Sequence, residues 1–218
     1  MDTTIRGVVQ QDSYVTAPDN SLMAPRMTRR GELVLNDFVL QALFDGRVYC
    51  SSDADENDTI TGQTSFAATT PTLLLRVPSG TTAIPLWLHL DQAGTVAGGI
   101  ISVLMSYDRI DRFSSGGTSE TITPMHTSRP NTAASTLYSG ATATAATEAR
   151  LLYAATLDQD VTDPNLTESI HLHALKDFYP PLLVGPAALL VFTFATVGVG
   201  PTWNWSIGWI EMSSGSAD

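Results

Sequence analysis

Residues 180–212, "PPLLVGPAALLVFTFATVGVGPTWNWSIGWIEM", carry one charged side chain, Glu211. A stretch this apolar can be a membrane span, a buried helix or buried strands, and its punctuation decides among them. Pro180, Pro181, Gly185 and Pro186 interrupt the run before it reaches the ~20 apolar residues that a spanning helix requires. The sequence therefore predicts no transmembrane helix and no membrane partner. In "ALLVFTFAT", Leu190, Phe192 and Phe194 share one face of an extended chain, with Leu189, Val191 and Thr193 on the other. Beyond a turn region at 198–201, Trp203, Trp205, Ile207 and Trp209 alternate with Thr202, Asn204, Ser206 and Gly208, the period of a strand with one aromatic and one small polar face. Two long strands joined at a corner are expected, with the three tryptophans packed in the core against Leu190, Phe192 and Phe194.

The same reading extends upstream. "RVYCSS", "TLLLRV", "AIPLWLHLDQ", "GIISVLMSYD", "ARLLYAATLD" and "ESIHLHAL" are runs of strand length bounded by Gly, Pro, Ser and Asp. With the two at the C-terminal end they make about eight strands, spaced as in an antiparallel sandwich with long crossings between sheets. The expected fold class is all-β: a single jelly-roll sandwich over residues 47–218, with an immunoglobulin-like sandwich as the alternative. Residues 131–149, "NTAASTLYSGATATAATEA", read as a loop of small side chains suited to close subunit contact.

Upstream of the strands the pattern changes. Residues 1–30 are polar, contain Pro18 and Pro25, and have no regular apolar period, so they read as an extended N-terminal arm. Residues 31–46 form a short helical linker: Leu35, Phe38, Val39, Ala42 and Leu43 recur as one helix face, and Gly46 is placed to terminate it.

Of the 218 residues, 15% are charged, against about 25% in ordinary domains. A surface poor in charge is cheap to desolvate and suits contact with neighbours. The net charge of -11 argues against nucleic acid, whose affinity is drawn from Lys and Arg. Arg26, Arg29 and Arg30 nevertheless form a basic cluster in the arm, suited to bidentate pairing with carboxylates on a neighbouring protein. Cys50 is the only cysteine, so no intramolecular disulfide forms. The start of the chain lacks the pattern of a secretory signal, which gives an expectation of synthesis and assembly inside a cell.

Four constellations bear on chemistry. His171 and His173 lie at i and i+2 of a strand and face one side, as metal-ligand pairs do; a third ligand would come from His89, His126, Asp177 or Glu168. Asp53, Asp55, Asn57 and Asp58 place oxygen ligands near one another, but Asp58 stands where a calcium loop needs glycine and Thr64 where it needs glutamate, so a solvated acidic loop is expected. Neither group is expected to hold a resident metal or cofactor. Trp203, Trp205 and Trp209 would form a glycan platform only if exposed. Asn57, Asn165 and Asn204 sit in N-x-[ST] sequons that carry no meaning without secretion. No G-x-S-x-G elbow, H-E-x-x-H, P-loop or C-x-x-C occurs, so no enzyme is expected.

Taken together, the polar arm, "RRGELVLNDFVLQALFDGRVY", the β body and "PPLLVGPAALLVFTF" with its aromatic last strand resemble jelly-roll virion structural proteins. The similarity is to small structural proteins of marine tailed phages and uncultivated marine viruses that carry a related "GEL...DF...DGRVY" segment. The resemblance implies a capsid cement or decoration protein on the virion surface, a homo-oligomer, often a trimer, whose arm reaches over the major capsid protein. It transfers a role and an architecture, with no site residues. A receptor- or glycan-binding tail component is the chief alternative; a major capsid protein or a cupin-like metalloenzyme comes third.

Overall fold

The computed structural model describes residues 37–53, 58–93, 100–145, 149–158, 168–195 and 198–213. The arm at 1–30 with Arg26, Arg29 and Arg30, and the loop residues Asp55 and Asn57, lie outside them, as does Asn165. Helix α1 (Phe38–Phe44) is followed by β1 (Val48–Ser52), β2 (Ile60–Thr61), β3 (Leu73–Val77), β4 (Thr81–Gln92) and β5 (Ile100–Asp108). Short strands β6 (Phe113–Ser115), β7 (Thr118–Ser119), β8 (Thr123–Pro124), β9 (Thr136–Ser139) and β10 (Thr142–Ala143) precede β11 (Arg150–Asp158). Then come β12 (Ser169–His173), β13 (Leu183–Val184), β14 (Ala187–Ala195) and β15 (Thr202–Ser213).

The protein is an all-β antiparallel sandwich. The first sheet has the order β12-β4-β15-β1-β8, with β13 added to β4 and β2 to β15; the second has the order β11-β5-β14-β3-β9-β7. Strands β6 and β10 form a separate ribbon. All eight strands read from the sequence are present, and the chain crosses between sheets at each step from one to the next except from β5 to β11. Their pairings nest: β1 with β15, β3 with β14, β4 with β12, and β5 with β11.

The apolar C-terminal run is explained by burial on both faces of β14 and one face of β15. Trp203, Trp205 and Trp209 fill the space between the sheets with Leu88, Leu90, Ile170 and Leu172. Facing them from β14 are Leu189 and Val191, not the expected Leu190, Phe192 and Phe194. Leu190 and Phe192 point to the outside of the second sheet, where a further layer covers them. Phe66 packs against Phe192 and Phe194 at 5.4 and 5.7 Å, and Phe113 stacks on Tyr138 at 4.3 Å. Because both faces of β14 are apolar, alternation could not say which one meets the tryptophans.

Charged groups are sealed into the fold with their partners. Arg112 is buried; it donates to Asp108 at 3.0 Å and to the Thr144 carbonyl from Nε at 2.7 Å. Glu211 is also buried, accepting from Ala134 N (2.8 Å), Ser135 N (3.1 Å) and Trp209 Nε1 (2.8 Å). It thereby ties residues 134–135 to the last strand. The expected loop at 131–149 is corrected accordingly: it contains β9, an interior strand between β3 and β7, with Leu137, Ala141 and Ala143 buried. Of its small residues, Ser135, Ala141 and Ala143 pack within the chain, whereas Thr132, Ala134, Thr142 and Thr144 are exposed.

Helix α1 starts at Asp37, whose carboxylate accepts from Val39 N (2.7 Å), and it ends before Gly46, at φ +68°, the left-handed position that glycine occupies without strain. Only Ala42 is buried, against Val48 and Ile210, whereas Phe38, Leu40 and Phe44 are all more than half exposed. Of the apolar helix face read from the sequence, Ala42 is buried with Leu43 packed beside it, Phe38 and Val39 are exposed, and Leu35 lies outside the described residues.

Candidate functional site

The outward face of the first sheet collects the polar side chains that alternate with the core. On β4 these are Trp87, His89 and Asp91; on β12, Ser169, His171 and His173; on β15, Asn204 and Ser206. The register sets His171 directly opposite His89, and Ser206 opposite His89 on the other side. Directly opposite residues on one face of an antiparallel pair have Cβ atoms about 4.5–5.5 Å apart, and diagonal ones stay within reach. Three of the four histidines of the chain thus meet here, with the His89 ring 4.6 Å from that of His171 and 4.9 Å from that of His173.

Carboxylates flank the cluster. His171 Nε2 and Asp91 Oδ1 are 2.9 Å apart, and Asp177 accepts from the His173 backbone N–H at 2.9 Å. Partial desolvation pushes the His89 pKa down, helped by the cationic forms of His171 and His173. Burial works to raise the Asp91 carboxyl, but hydrogen bonds from Ser169 and His171 hold it net below its usual value. This face thus sets three imidazoles beside two carboxylates. Ser206 is held by the Trp87 indole N–H at 2.8 Å. His89 Nε2 is enclosed without a hydrogen-bond partner. Of the third ligands considered from sequence, the structure brings His89 and Asp177 to the pair. Glu168 joins Gln92 through its backbone, and His126 accepts from Ser128 N within its own turn.

The other candidates resolve differently. Trp203, Trp205 and Trp209 are 0%, 4% and 0% exposed, so they offer no platform for a sugar ring. Asp53 accepts from Trp205 N at 2.9 Å and donates its own N–H to the Trp205 carbonyl, which makes it a clasp on β15. Burial raises the Asp53 pKa to about 6, and the charges of Asp58 and Glu120 add to the rise. Cys50 is half-buried, and desolvation pushes its thiol pKa up.

Two features were not legible in the sequence. A hollow of about 170 Å³ lies on the second sheet, lined by Phe66, Leu104, Leu151 and Phe192 with Arg112 at its wall. The connection from β12 to β13 displays Leu175, Tyr179 and Leu182 at 76%, 87% and 51% exposure, while Phe178 is buried and anchors it. Leu175 has φ +66°, a conformation that branched and bulky residues rarely adopt, and its N–H donates to the Phe178 carbonyl at 2.8 Å. Among the described residues, no helix is long and apolar enough to cross a membrane. No protein-family model, curated protein or solved structure matches the chain.

Proposed function

We propose that this chain is a virion structural protein, a cement or decoration subunit that packs on a capsid lattice through apolar contacts. The carrying observation is a set of exposed apolar side chains: Phe38, Leu40 and Phe44 on α1, and Leu175, Tyr179, Leu182 and Val184 beyond β12. The two groups border the same end of the first sheet. Helix α1 packs beside Ile84, Leu86 and Met212, Val184 pairs with Thr82, and the Ala174 N–H donates to the Leu86 carbonyl. Exposed apolar groups that cluster mark interaction sites, and aromatic side chains dominate the energetics of such contacts.

The nested pairing of β1 with β15, β3 with β14, β4 with β12 and β5 with β11 supports a jelly-roll reading of the sandwich. It is the pattern left when one long hairpin is folded over on itself. That reading agrees with the resemblance carried by the sequence segments. The basic cluster Arg26, Arg29 and Arg30 supplies a second contact in the proposal, to carboxylates of the major capsid protein, and a homotrimer is the proposed assembly on the lattice.

Imaging purified particles of the encoding virus by electron microscopy tests the proposal, with density for this sandwich expected over the capsid shell. Phe44→Ser combined with Tyr179→Ser should leave the melting temperature unchanged and lower occupancy on stripped capsids at least tenfold, a loss of about 1.4 kcal/mol. Unchanged occupancy of that variant, or absence of the chain from purified particles, overturns the reading.

A further inference from the structure

We propose that the outward face of β4 and β12 is a binding site for a late first-row divalent cation of the zinc class, with His89, His171 and His173 as ligands. The chemistry of the donors selects the ion: neutral imidazole suits zinc, nickel and copper, whereas calcium and magnesium require oxygen. Three histidines with an open fourth position form a recurring zinc arrangement. Here the fourth position is open to solvent, with Asp91 beside His171.

The geometry comes from strand pairing. Two ligands at i and i+2 of one strand, and a third on the antiparallel neighbour in register with the first, place three side chains on one face within a single lattice cell of the sheet. With nitrogen about 2.0–2.1 Å from a tetrahedral ion, the centres of two bound imidazoles lie roughly 5 Å apart. The separations of 4.6 and 4.9 Å from His89 put the three rings within that reach. Among the described residues no three donor atoms yet enclose one point, because the rings pack against one another and His171 Nε2 is turned to Asp91. Bringing them together takes rotation of imidazoles. His171 and His173 are exposed, so these rings can turn without moving the backbone.

Two further observations favour a ligand. The His89 Nε2 atom is enclosed and unpartnered, and a buried nitrogen of this kind gains most from an ion. Asp91 holds His171 by Nε2, so His171 would ligate through Nδ1 and keep Asp91 as the partner that orients it, as carboxylates do at zinc centres. The consequence is mechanical. Among the described residues, strand β12 is the edge of its sheet and pairs with β4 alone, so an ion bridging the two would staple that edge and shield it.

The test uses the untagged full chain, stripped with chelator and titrated with Co(II) and Zn(II). The expected result is a saturable Co(II) visible spectrum of tetrahedral intensity, displaced by Zn(II), and a rise in melting temperature with Zn(II) that Mg(II) does not reproduce. His171→Gln and His89→Gln should each weaken binding at least tenfold, while His126→Gln leaves it unchanged. Circular dichroism of each variant without metal checks that the fold is retained. Absence of the Co(II) spectrum overturns the proposal, as does binding that survives loss of His89 and His171 together. Saturation at half an equivalent with formation of dimers also overturns it, since the ion would then bridge two copies.

Discussion

Asp53 shows what one side chain must reconcile. Its carboxylate caps the Trp205 N–H of the aromatic strand, a role an ionised acid fills well, yet it sits partly desolvated near Asp58 and Glu120, which favour the protonated form. The balance puts its folded-state pKa at about 6, above the ordinary 3.8. A carboxyl raised in the folded state binds more protons there than in the unfolded chain. Its contribution to stability is therefore fully present below about 3.8 and lost as pH rises through about 6. Asn supplies the same acceptor oxygen without the charge. Melting temperatures of wild type and Asp53→Asn should therefore diverge in favour of the variant between pH 4 and pH 7, window edges that follow from the two pKa values. A difference that stays constant across that range would show that Asp53 ionises as freely in the folded protein as in the unfolded one.

At the scale of elements, the join between the sheets depends on backbones in direct contact. Strand β2 pairs with β15 in the first sheet, and two residues later Gln63 exchanges hydrogen bonds with β14 in the second, to Thr193 O at 2.8 Å and from Ala195 N at 2.9 Å. Gly62 sits at the crossing, and its N–H donates to Pro201 O at 2.7 Å. A Cβ on Gly62 would overlap the Thr193 carbonyl, and one on Gly200 would overlap the carbonyl of Gly62. These obstacles are main chain, which cannot swing aside. Gly62→Ala should thus cost about 1–3 kcal/mol, the range for overpacking, and lower the melting temperature by about 2–4 °C per kcal/mol for a chain of this size. Gly198→Ala is the matched control, because a Cβ there meets nothing within 4 Å and its melting temperature should not move.

For the whole molecule, the described core closes without the N-terminal arm. The residues of all three apolar clusters lie at or beyond Ala42, and the largest spans both sheets. Deleting residues 1–30 should accordingly leave a folded sandwich whose melting temperature, followed by near-ultraviolet circular dichroism of its buried tryptophans, stays close to that of the full chain. Under the proposed role the same truncation lowers occupancy on capsids. Loss of the cooperative melting transition would instead make the arm part of the fold. The distribution of charge fits a body held together by packing: buried ionisable groups such as Arg112 with Asp108, and Glu211, are paired or bonded.

Strand identity was legible in the sequence because it is a local property: alternation in "TWNWSIGW" and "ESIHLH" and the breaks at Gly and Pro are set by side-chain period and backbone sterics within a few residues. The helix end at Gly46 was legible for the same reason. What alternation cannot carry is the identity of a partner. Leu190 and Phe192 are as apolar as Leu189 and Val191, and only the added layer of Phe66, Phe113 and Tyr138 determines which pair faces the tryptophans. Likewise, the short strands in 113–143 have too few residues to show a period, and their pairing is fixed by contacts distant in sequence, such as β9 with β3. The histidine face divides the two cases cleanly. That His171 and His173 share a side follows from the strand period alone, whereas the choice of His89 over His126 as their neighbour depends on the register of β4 against β12, a long-range pairing that only the folded sheet specifies.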